Sequence, residues 1–279
     1  MTGADDVHSL LSPVQDKFDE LLALVDKAGQ EIMQVYESAQ PAAVSLKSDN
    51  SPVTEADTRA NTILMAGLHD AFPDLPVVSE EAAGSLSGRS PEGAFWLVDP
   101  LDGTREFIKR TDQFTVNIAL VLGGRPIMGI VTAPALGEAY WGFVTTGAFE
   151  RRGGQQHAIS AARFPARDES GEFDRAVRIL ASQSHSSAET QSWIDRLNPH
   201  ELQQAGSSLK FCHLANGRAD CYPRLTPTCE WDTAAGQAVL ESAGGRVLTL
   251  DGKPLSYGSD TELNPQFIAL GADCPWPLV

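Results

Sequence analysis

The amino-acid sequence predicts a mixed α/β fold in which helices pack on sheets as layers. Three patterns in the sequence indicate this fold. Apolar residues near the N-terminus recur at the spacing of a long amphipathic helix. The middle of the chain changes to short apolar runs that Gly and Pro separate, which is typical of successive strands. The second half alternates between strand-like and helical segments.

Two helices are predicted before the first strand. The first covers residues ~13–38, because apolar side chains recur there at helical spacing: Val14, Phe18, Leu21, Val25, Ile32 and Tyr36. A polar loop follows at residues 47–52. The second helix begins at Thr54-Glu55-Ala56-Asp57, which combines a capping residue with an acidic first turn, and it continues to about Phe72.

Five strands follow, each predicted from an apolar run: residues 75–78, 95–98, 115–122, 126–132 and 138–144. Short turns between successive strands suggest a largely antiparallel meander. Residues ~151–175 are rich in Arg, Gly, Asp and Glu and have no periodicity. We therefore expect an N-terminal α+β lobe over residues 1–155 and a C-terminal α/β lobe over residues 176–279.

The C-terminal half is predicted to contain three helices, at residues 187–197, 207–216 and 232–243. Gly217 and the pair Gly244-Gly245 are well placed to end the second and third of these helices. Strands are predicted at residues 177–181 and 246–250.

The composition disfavours several kinds of partner. With 279 residues and 42% hydrophobic content, the chain can bury a substantial core as an ordinary globular protein. A net charge of −16 disfavours DNA and RNA duplexes, because proteins bind these mainly through basic residues that neutralise phosphates. A small phosphorylated substrate remains compatible with this charge if metal ions supply positive charge locally.

The sequence predicts a cytoplasmic protein. Its N-terminus has Asp5 and Asp6 and lacks the basic start and apolar core of a signal peptide. No apolar run is long enough for an integral membrane segment. The four cysteines form no CxxC pair, which favours reduced thiols. A peripheral position at the inner face of the cell membrane and the oligomeric state are left open.

One short segment offers places for both a metal and a phosphate. The apolar run at residues 94–98 delivers Asp99 and Asp102 into a turn, and Gly103-Thr104 then opens a short helix. Carboxylate oxygens at a strand end suit Mg²⁺. Backbone N–H groups at a helix start suit a phosphate.

Further carboxylates follow other predicted element boundaries. Glu80 comes directly after the run at residues 75–79, and Asp232 begins the helix at residues 232–243. Carboxylates gathered in one site repel each other and need cations between them. Two divalent ions roughly 4 Å apart would form a clamp for displacement at phosphorus. Taken singly, Asp99 also suits a simple turn, Asp232 a helix cap and Lys210 a helix surface.

Three motifs together resemble those of the inositol monophosphatase-like superfamily, the Mg²⁺-dependent, lithium-sensitive phosphatases. They are Ser79-Glu80-Glu81, Asp99-Pro100-Leu101-Asp102-Gly103-Thr104 and Trp231-Asp232-Thr233-Ala234-Ala235-Gly236. The resemblance extends from the first helix to the end of the chain. It implies a layered αβαβα sandwich in two lobes, with the active site between them.

The sequences that flank these motifs are similar to those of the bacterial 3′(2′),5′-bisphosphate nucleotidases. The similar stretches are residues 47–57, 105–110, 113–120, 206–212 and 222–224. An inositol phosphatase would usually have Thr-Asn-Phe in place of Arg105-Glu106-Phe107. The similarity implies hydrolysis of adenosine 3′,5′-bisphosphate, and also of 3′-phosphoadenylyl sulfate, in connection with sulfate assimilation. An inositol or broad sugar phosphatase, and a non-catalytic nucleotide or cation sensor, remain as alternatives.

The resemblance implies two or three Mg²⁺ ions as cofactors. Glu80, Asp99 and the backbone carbonyl of Leu101 would hold the first ion. Asp99, Asp102 and Asp232 would hold the second, where Li⁺ would compete. Asp57 would act from behind these ligands on a further ion or its water.

The resemblance also implies the catalytic and substrate-binding roles. Glu80 and Thr104 would orient the attacking water, with Asp57 as a further catalytic group. The substrate, a phosphorylated nucleotide, would be bound by six residues: Asp102, Gly103, Thr104, Ser208, Lys210 and Asp232. Lys210 is the first candidate for the 5′-phosphate, and Arg224 and Arg105 are weaker candidates.

Overall fold

Two β-sheets, one of seven strands and one of five, form the framework of the protein. They are observed in a computed structural model that describes residues 4–38, 44–46, 52–82, 89–182 and 187–278. Of the predicted loop at residues 47–52, only Pro52 lies within the described residues. None of the helices in this described part of the chain has the length and apolar character needed to cross a membrane.

The N-terminal helical region consists of two helices where the sequence predicted one. They are α1 (Ala4–Asp16) and α2 (Phe18–Glu37), and the chain leaves helical geometry at Lys17 between them. The prediction missed the first nine residues of α1, although Val7, Leu10 and Leu11 also recur there at helical spacing. Asp5 and Asp6 in its first turn favour the helix start electrostatically.

The helix α3 (Glu55–Ala71) begins where the sequence predicted. Thr54 Oγ1 accepts a hydrogen bond from Ala56 N at 3.2 Å, and the Asp57 carboxylate accepts one from Thr54 N at 2.8 Å. This reciprocal arrangement is a capping box, which satisfies backbone N–H groups at the helix start. A two-stranded ribbon, β1 (Val44–Leu46) with β2 (Pro52–Thr54), leads into it.

The larger sheet has its strands in sequence order: β3 (Val77–Ser79), β4 (Ala94–Asp102), β5 (Thr115–Leu122), β6 (Arg125–Ala133), β7 (Glu138–Phe143), β8 (Gly147–Arg152) and β9 (Gln155–Ile159). From β4 onwards each pair is antiparallel, which confirms the predicted meander. Only the β3–β4 pair is parallel. The sequence did not predict β8 or β9. Strand β8 has only two apolar residues, and the edge strand β9 is mostly exposed and has no apolar alternation.

The smaller sheet has the order β11-β10-β12-β14-β13. Its strands are β10 (Val177–Ser182), β11 (His200–Ala205), β12 (Cys221–Arg224), β13 (Arg246–Thr249) and β14 (Phe267–Leu270). The predictions of β10 and β13 are confirmed. The other three were not predicted. Strand β11 is mostly polar and β12 contains Pro223, whereas β14 is a short buried apolar run that the prediction missed.

The described residues contain four further α-helices, α4 (Thr104–Lys109), α5 (Ala188–Ile194), α6 (Leu209–Ala215) and α7 (Ala234–Ser242), and a short 3-10 helix at Pro134–Leu136. The three helices predicted in the C-terminal half are therefore present, each shorter at both ends than expected. Gly217 and Gly244, with φ of 75° and 94°, follow α6 and α7 in the left-handed conformation that suits a helix end.

The elements stack as five layers. Helices α2 and α3 cover one face of the larger sheet, and α6 and α7 lie between the two sheets. Helix α5 contacts β12 of the smaller sheet. Three clusters of buried apolar side chains fill the spaces between these layers. This is the αβαβα sandwich that the resemblance implied.

Helix α7 is packed unusually closely because small residues line it. Ala234, Ala235 and Ala238 are fully buried, and a Cβ atom on Gly236 would lie only 2.6 Å from Phe211 Cδ2 on α6. Larger side chains would overfill this middle layer. The close packing fixes the N-terminal end of α7, where Asp232 lies.

Candidate active site

A β-bulge in β4 brings Asp99 and Asp102 onto the same face of the larger sheet. Asp99 pairs with Asn117 of β5 and Asp102 pairs with Thr115, so three steps along β4 match two along β5. Side chains alternate between the faces of a regular strand, and residues three apart would therefore point in opposite directions. The extra residue in the bulge shifts the alternation by one position, so the Asp99 and Asp102 side chains point to the same face.

Asp232 joins these two carboxylates from the C-terminal half of the chain. Its Oδ2 accepts hydrogen bonds from Thr228 Oγ1 at 2.6 Å and from Cys229 N at 2.9 Å. One oxygen from each of Asp99, Asp102 and Asp232 lies within 4.8 Å of the others. This group of three could hold a metal ion, since a hard divalent cation prefers such oxygen ligands.

The electrostatics of this group also fit a cation. Burial raises the pKa of Asp99 well above its usual value, and the charges of Glu80, Asp102 and Asp232 raise it further. Asp99 Oδ1 accepts a hydrogen bond from Leu101 N at 3.1 Å, whereas its buried Oδ2 has no hydrogen-bond partner among the described residues. An unsatisfied carboxylate oxygen among neighbouring carboxylates is a position that a metal ion would stabilise.

The pKa of Asp102 is raised to about 6, by burial first and then by the charge of Asp232. The charge of Lys210 and the hydrogen bond from Asn117 oppose this rise. The negative charge of Asp232 and the positive charge of Lys210 thus have opposite effects on the pKa of Asp102.

Thr104 connects the carboxylate turn to α3. Gly103 precedes it with a φ of 92°, a conformation that glycine adopts without strain, and this starts α4 directly after the turn. Thr104 Oγ1 lies 3.2 Å from Asp57 Oδ1 and 3.3 Å from the Leu101 carbonyl oxygen. Asp57 is 2% exposed, and burial raises its pKa although Thr54 and Thr104 donate hydrogen bonds to it.

These side chains surround one cavity of about 290 Å³. Eight of the ten residues predicted for the site line it: Glu80, Asp99, Leu101, Asp102, Gly103, Thr104, Lys210 and Asp232. The other two lie behind it. Asp57 contacts Thr104, and Ser208 donates a hydrogen bond from its Oγ to the Asp232 carbonyl oxygen at 2.7 Å.

The cavity also has basic groups. Lys210 is 5% exposed, so it is not the surface lysine that a helix position alone would favour. Its Nζ donates to the Ser207 carbonyl at 2.6 Å and lies 5.3 Å from the centre of the Tyr222 ring. Burial lowers the pKa of Lys210 to about 8, and the charge of Asp102 opposes this shift.

Arg224 is a second basic residue in the cavity, and its positive charge also lowers the pKa of Lys210. Its Nη2 donates to the Pro227 carbonyl at 2.7 Å, and its buried Nε has no hydrogen-bond partner among the described residues. Arg105, the other basic candidate, also lines the cavity and is exposed. The cavity therefore combines a carboxylate group that suits cations with basic groups that suit anions.

Sequence reasoning missed three residues that hold the carboxylates: Thr115, Asn117 and Thr228. Asn117 Nδ2 lies 3.4 Å from Asp102 Oδ2 and 3.0 Å from Ser208 Oγ, and Thr115 Oγ1 lies 3.5 Å from the same Asp102 oxygen. A signal was present, because Thr115 and Asn117 are polar residues two apart in an otherwise apolar strand. Thr228 lies four residues before Asp232 in the sequence, outside any helix, and has no comparable signal.

Comparisons with known proteins agree with this fold. The family model for the inositol monophosphatase family matches residues 15–269. The chain is 44% identical over 250 residues to the 3′(2′),5′-bisphosphate nucleotidase CysQ of Escherichia coli strain K12, covering 89% of this chain and 97% of that protein.

Solved structures show the same similarity. The crystal structure of CysQ from Bacteroides thetaiotaomicron matches with a TM-score of 0.76 and 37% identity, over 89% of this chain and 94% of that one. An IMPase from Thermotoga maritima matches with a TM-score of 0.72 and 25% identity, over 91% of this chain and 92% of that one. The chain therefore belongs to the inositol monophosphatase family.

Proposed function

We propose that this protein is a Mg²⁺-dependent phosphatase that removes the 3′-phosphate of adenosine 3′,5′-bisphosphate, giving AMP and phosphate. The observation that carries this proposal is the cavity in which Asp99, Asp102 and Asp232 lie together with Lys210 and Arg224. The name of the Escherichia coli relative, a 3′(2′),5′-bisphosphate nucleotidase, supports the nucleotide as substrate. 3′-Phosphoadenylyl sulfate is a second expected substrate, and sulfate assimilation is the expected context.

The proposal assigns two or three Mg²⁺ ions to this cavity. Glu80, Asp99 and the Leu101 carbonyl would hold one ion, and Asp99, Asp102 and Asp232 would hold another. When bound, Mg²⁺ neutralises phosphate charge and lowers the pKa of water, which makes water a better nucleophile. The protein accordingly needs no serine or cysteine nucleophile.

Thr104 and Glu80 orient the attacking water in this proposal. Thr104 Oγ1 has one proton, and Asp57 Oδ1 is positioned at 3.2 Å to accept it. The lone pairs of Thr104 are then directed away from Asp57 and can accept a hydrogen bond from water in the cavity. Asp57 thus sets the direction in which Thr104 acts. The backbone N–H groups of Gly103 and Thr104 would receive the phosphate.

The substrate's second phosphate requires cationic partners. Lys210 and Arg224 supply two buried positive charges in the same cavity as the carboxylates. Charge-assisted hydrogen bonds to phosphate are strong, and more so in a buried site. The proposed substrate-binding set also includes Ser208, Asp102 and Asp232. Ser208 supports Asp232 by donating a hydrogen bond to the Asp232 carbonyl oxygen.

The test is phosphate release with Mg²⁺ from adenosine 3′,5′-bisphosphate, inositol 1-phosphate and fructose 1,6-bisphosphate. We expect a clear preference for the nucleotide. Lys210→Met should lower kcat/KM for the nucleotide by at least about 10-fold, because it removes a charge-assisted contact. The matched control is Lys109→Met, which removes an exposed lysine of α4 and should leave the nucleotide kcat/KM unchanged.

Other outcomes would point to another function. A preference for inositol 1-phosphate, or nucleotide turnover that Lys210→Met leaves intact, would favour an inositol or sugar phosphatase. Nucleotide binding without turnover of any phosphate ester, retained in Asp99→Asn, would favour a sensor.

A further inference from the structure

The carboxylate of Glu230 holds three segments of the chain together close to the active site. Arg89 Nη1 donates to Glu230 Oε2 at 2.9 Å. Gly258 N lies 3.0 Å from both carboxylate oxygens, and Ser259 donates from its N and its Oγ at 3.2 Å each. The side chains of Arg89 and Glu230 are 2% and 1% exposed.

A buried ion pair of this kind is expensive unless it is well satisfied. Desolvation of two charges costs several kcal/mol each, which their attraction offsets only with good geometry and additional hydrogen bonds. Glu230 has those additional bonds from Gly258 and Ser259. Removing either charge alone would leave the other buried and unpaired.

The backbone of Glu230 shapes the turn that carries Asp232. Its carbonyl oxygen accepts hydrogen bonds from Thr233 N at 3.2 Å and from Ala234 N at 3.1 Å, which begins α7. Asp232 lies inside this turn, two residues after Glu230. Anchoring the Glu230 side chain therefore anchors the turn from which the Asp232 carboxylate projects.

Arg89 is far from Glu230 in the sequence. It lies five residues before β4, the strand that carries Asp99 and Asp102. The ion pair thus joins the Asp232 turn to the segment that leads into β4. Neither Arg89 nor Glu230 is among the cavity-lining residues, so any effect on the site must act through these neighbours.

We infer that Arg89 and Glu230 are positioning residues that set the divalent-metal affinity of the carboxylate group by fixing the Asp232 turn against the segment that leads into β4. This inference rests on the proposed function only in requiring that the cavity binds divalent metal ions. It does not depend on which phosphate ester is the substrate.

The test measures Mn²⁺ binding to the full chain in the absence of substrate. Binding is detected as a decrease in the EPR signal of free Mn²⁺. Glu230→Gln keeps the side-chain volume and removes the charge. We expect it to weaken Mn²⁺ binding about 10-fold, as is typical when a group supporting a metal ligand is lost. The matched control is Glu241→Gln, which breaks the ion pair of α7 with exposed Arg125 at 2.7 Å. It should leave the Mn²⁺ affinity within about twofold of the wild type.

A double variant separates positioning from folding. Arg89→Met with Glu230→Gln leaves no unpaired buried charge, so it should recover most of the thermal stability that Glu230→Gln loses. We expect its Mn²⁺ affinity to stay lowered, because the link between the two segments is still absent. Wild-type Mn²⁺ affinity in the folded double variant would overturn the inference. Because Mn²⁺ binding is read without substrate, failure of the proposed nucleotidase activity would leave this test intact.

Discussion

Asp99 and Asp102 are three residues apart along β4 but only two positions apart in register against β5. The bulge between them gathers two carboxylates on one face, where Asp232 completes the group. Without a cation the arrangement is unfavourable, since burial and mutual repulsion raise the pKa of both Asp99 and Asp102. The arrangement therefore lowers the stability of the metal-free protein, and a bound cation would offset this loss.

Asp99→Asn should separate stability from activity. The amide removes a charge from the repelling group, so we expect the Tm of the metal-free protein to rise by about 2–4 °C at pH 8. Phosphate release should fall below about 1% of the wild type, because the variant loses a ligand shared by both proposed metal sites. Scanning fluorimetry in EDTA and a phosphate-release assay measure the two effects.

The control for this variant is Asp26→Asn, which removes a half-buried surface carboxylate paired with Arg151 at 2.6 Å. Its Tm should change by about 1 °C or less and its activity should be retained. A lower metal-free Tm in Asp99→Asn would show that repulsion does not dominate at this site.

Thr104 variants test the hydroxyl that lies between Asp57 and the cavity. Thr104→Val keeps the shape and removes the hydroxyl, so we expect kcat to fall about 100-fold. Thr104→Ser keeps the hydroxyl and should retain most of the activity. Steady-state kinetics at saturating Mg²⁺ measure these effects.

Asp57→Asn should also lower kcat if Asp57 acts through Thr104. Adding it to Thr104→Val should then cost little more, because residues that act as one unit are not additive. Independent, multiplying effects of the two substitutions would contradict this coupling.

Much of the site was predictable because its carboxylates follow element boundaries. Asp99 and Asp102 end an apolar strand, and Asp232 precedes a helix rich in small residues. Such boundaries are visible as a change from apolar to polar residues. The capping box of Thr54 and Asp57 was equally visible, since its residue types and spacing are local.

Features that depend on pairing between distant segments were not predictable. The register of β4 against β5, and hence the common face of Asp99 and Asp102, has no local signal. Strand β11 is a polar, mostly exposed strand at the edge of the smaller sheet. Because few of its side chains are buried, its sequence lacks the alternation of apolar and polar residues that predicts a strand. The division into lobes at residues 155 and 176 stays a prediction. Strand β9 continues the larger sheet to Ile159, and one core cluster includes side chains from both halves of the chain.

Gly236→Ala tests the close packing of α6 on α7. In an unconstrained helix this substitution would stabilise the protein by about 1 kcal/mol, because alanine has the higher helix propensity. Here the new Cβ would meet three atoms of Phe211 at 2.6–2.7 Å. We expect a net loss of about 1–3 kcal/mol in the free energy of unfolding, measured by urea denaturation. A gain in stability would show that Phe211 can move aside freely.

Asp220→Asn tests a buried charge cluster next to the start of β12 in the smaller sheet. Arg175 donates to Asp220 at 2.6 and 2.8 Å, and Arg178 donates at 2.8 and 3.1 Å. Burial alone would raise the pKa of Asp220, but the hydrogen bonds from Arg175 and Arg178 outweigh it and lower the pKa. The stability that Asp220 contributes is therefore complete above its unfolded pKa of about 3.9, and it is lost as pH falls through the lower folded pKa.

At pH 7 we accordingly expect Asp220→Asn to lose about 2 kcal/mol in the free energy of unfolding, less than for a fully buried pair because Arg175 is 40% exposed. The difference from the wild type should narrow as pH falls below about 4, where the wild-type carboxylate itself takes up a proton. Urea denaturation of both proteins between pH 7 and pH 3 measures this difference. A difference that stays constant across that range would mean that Asp220 acts through its shape and hydrogen bonds, and that its charge contributes nothing.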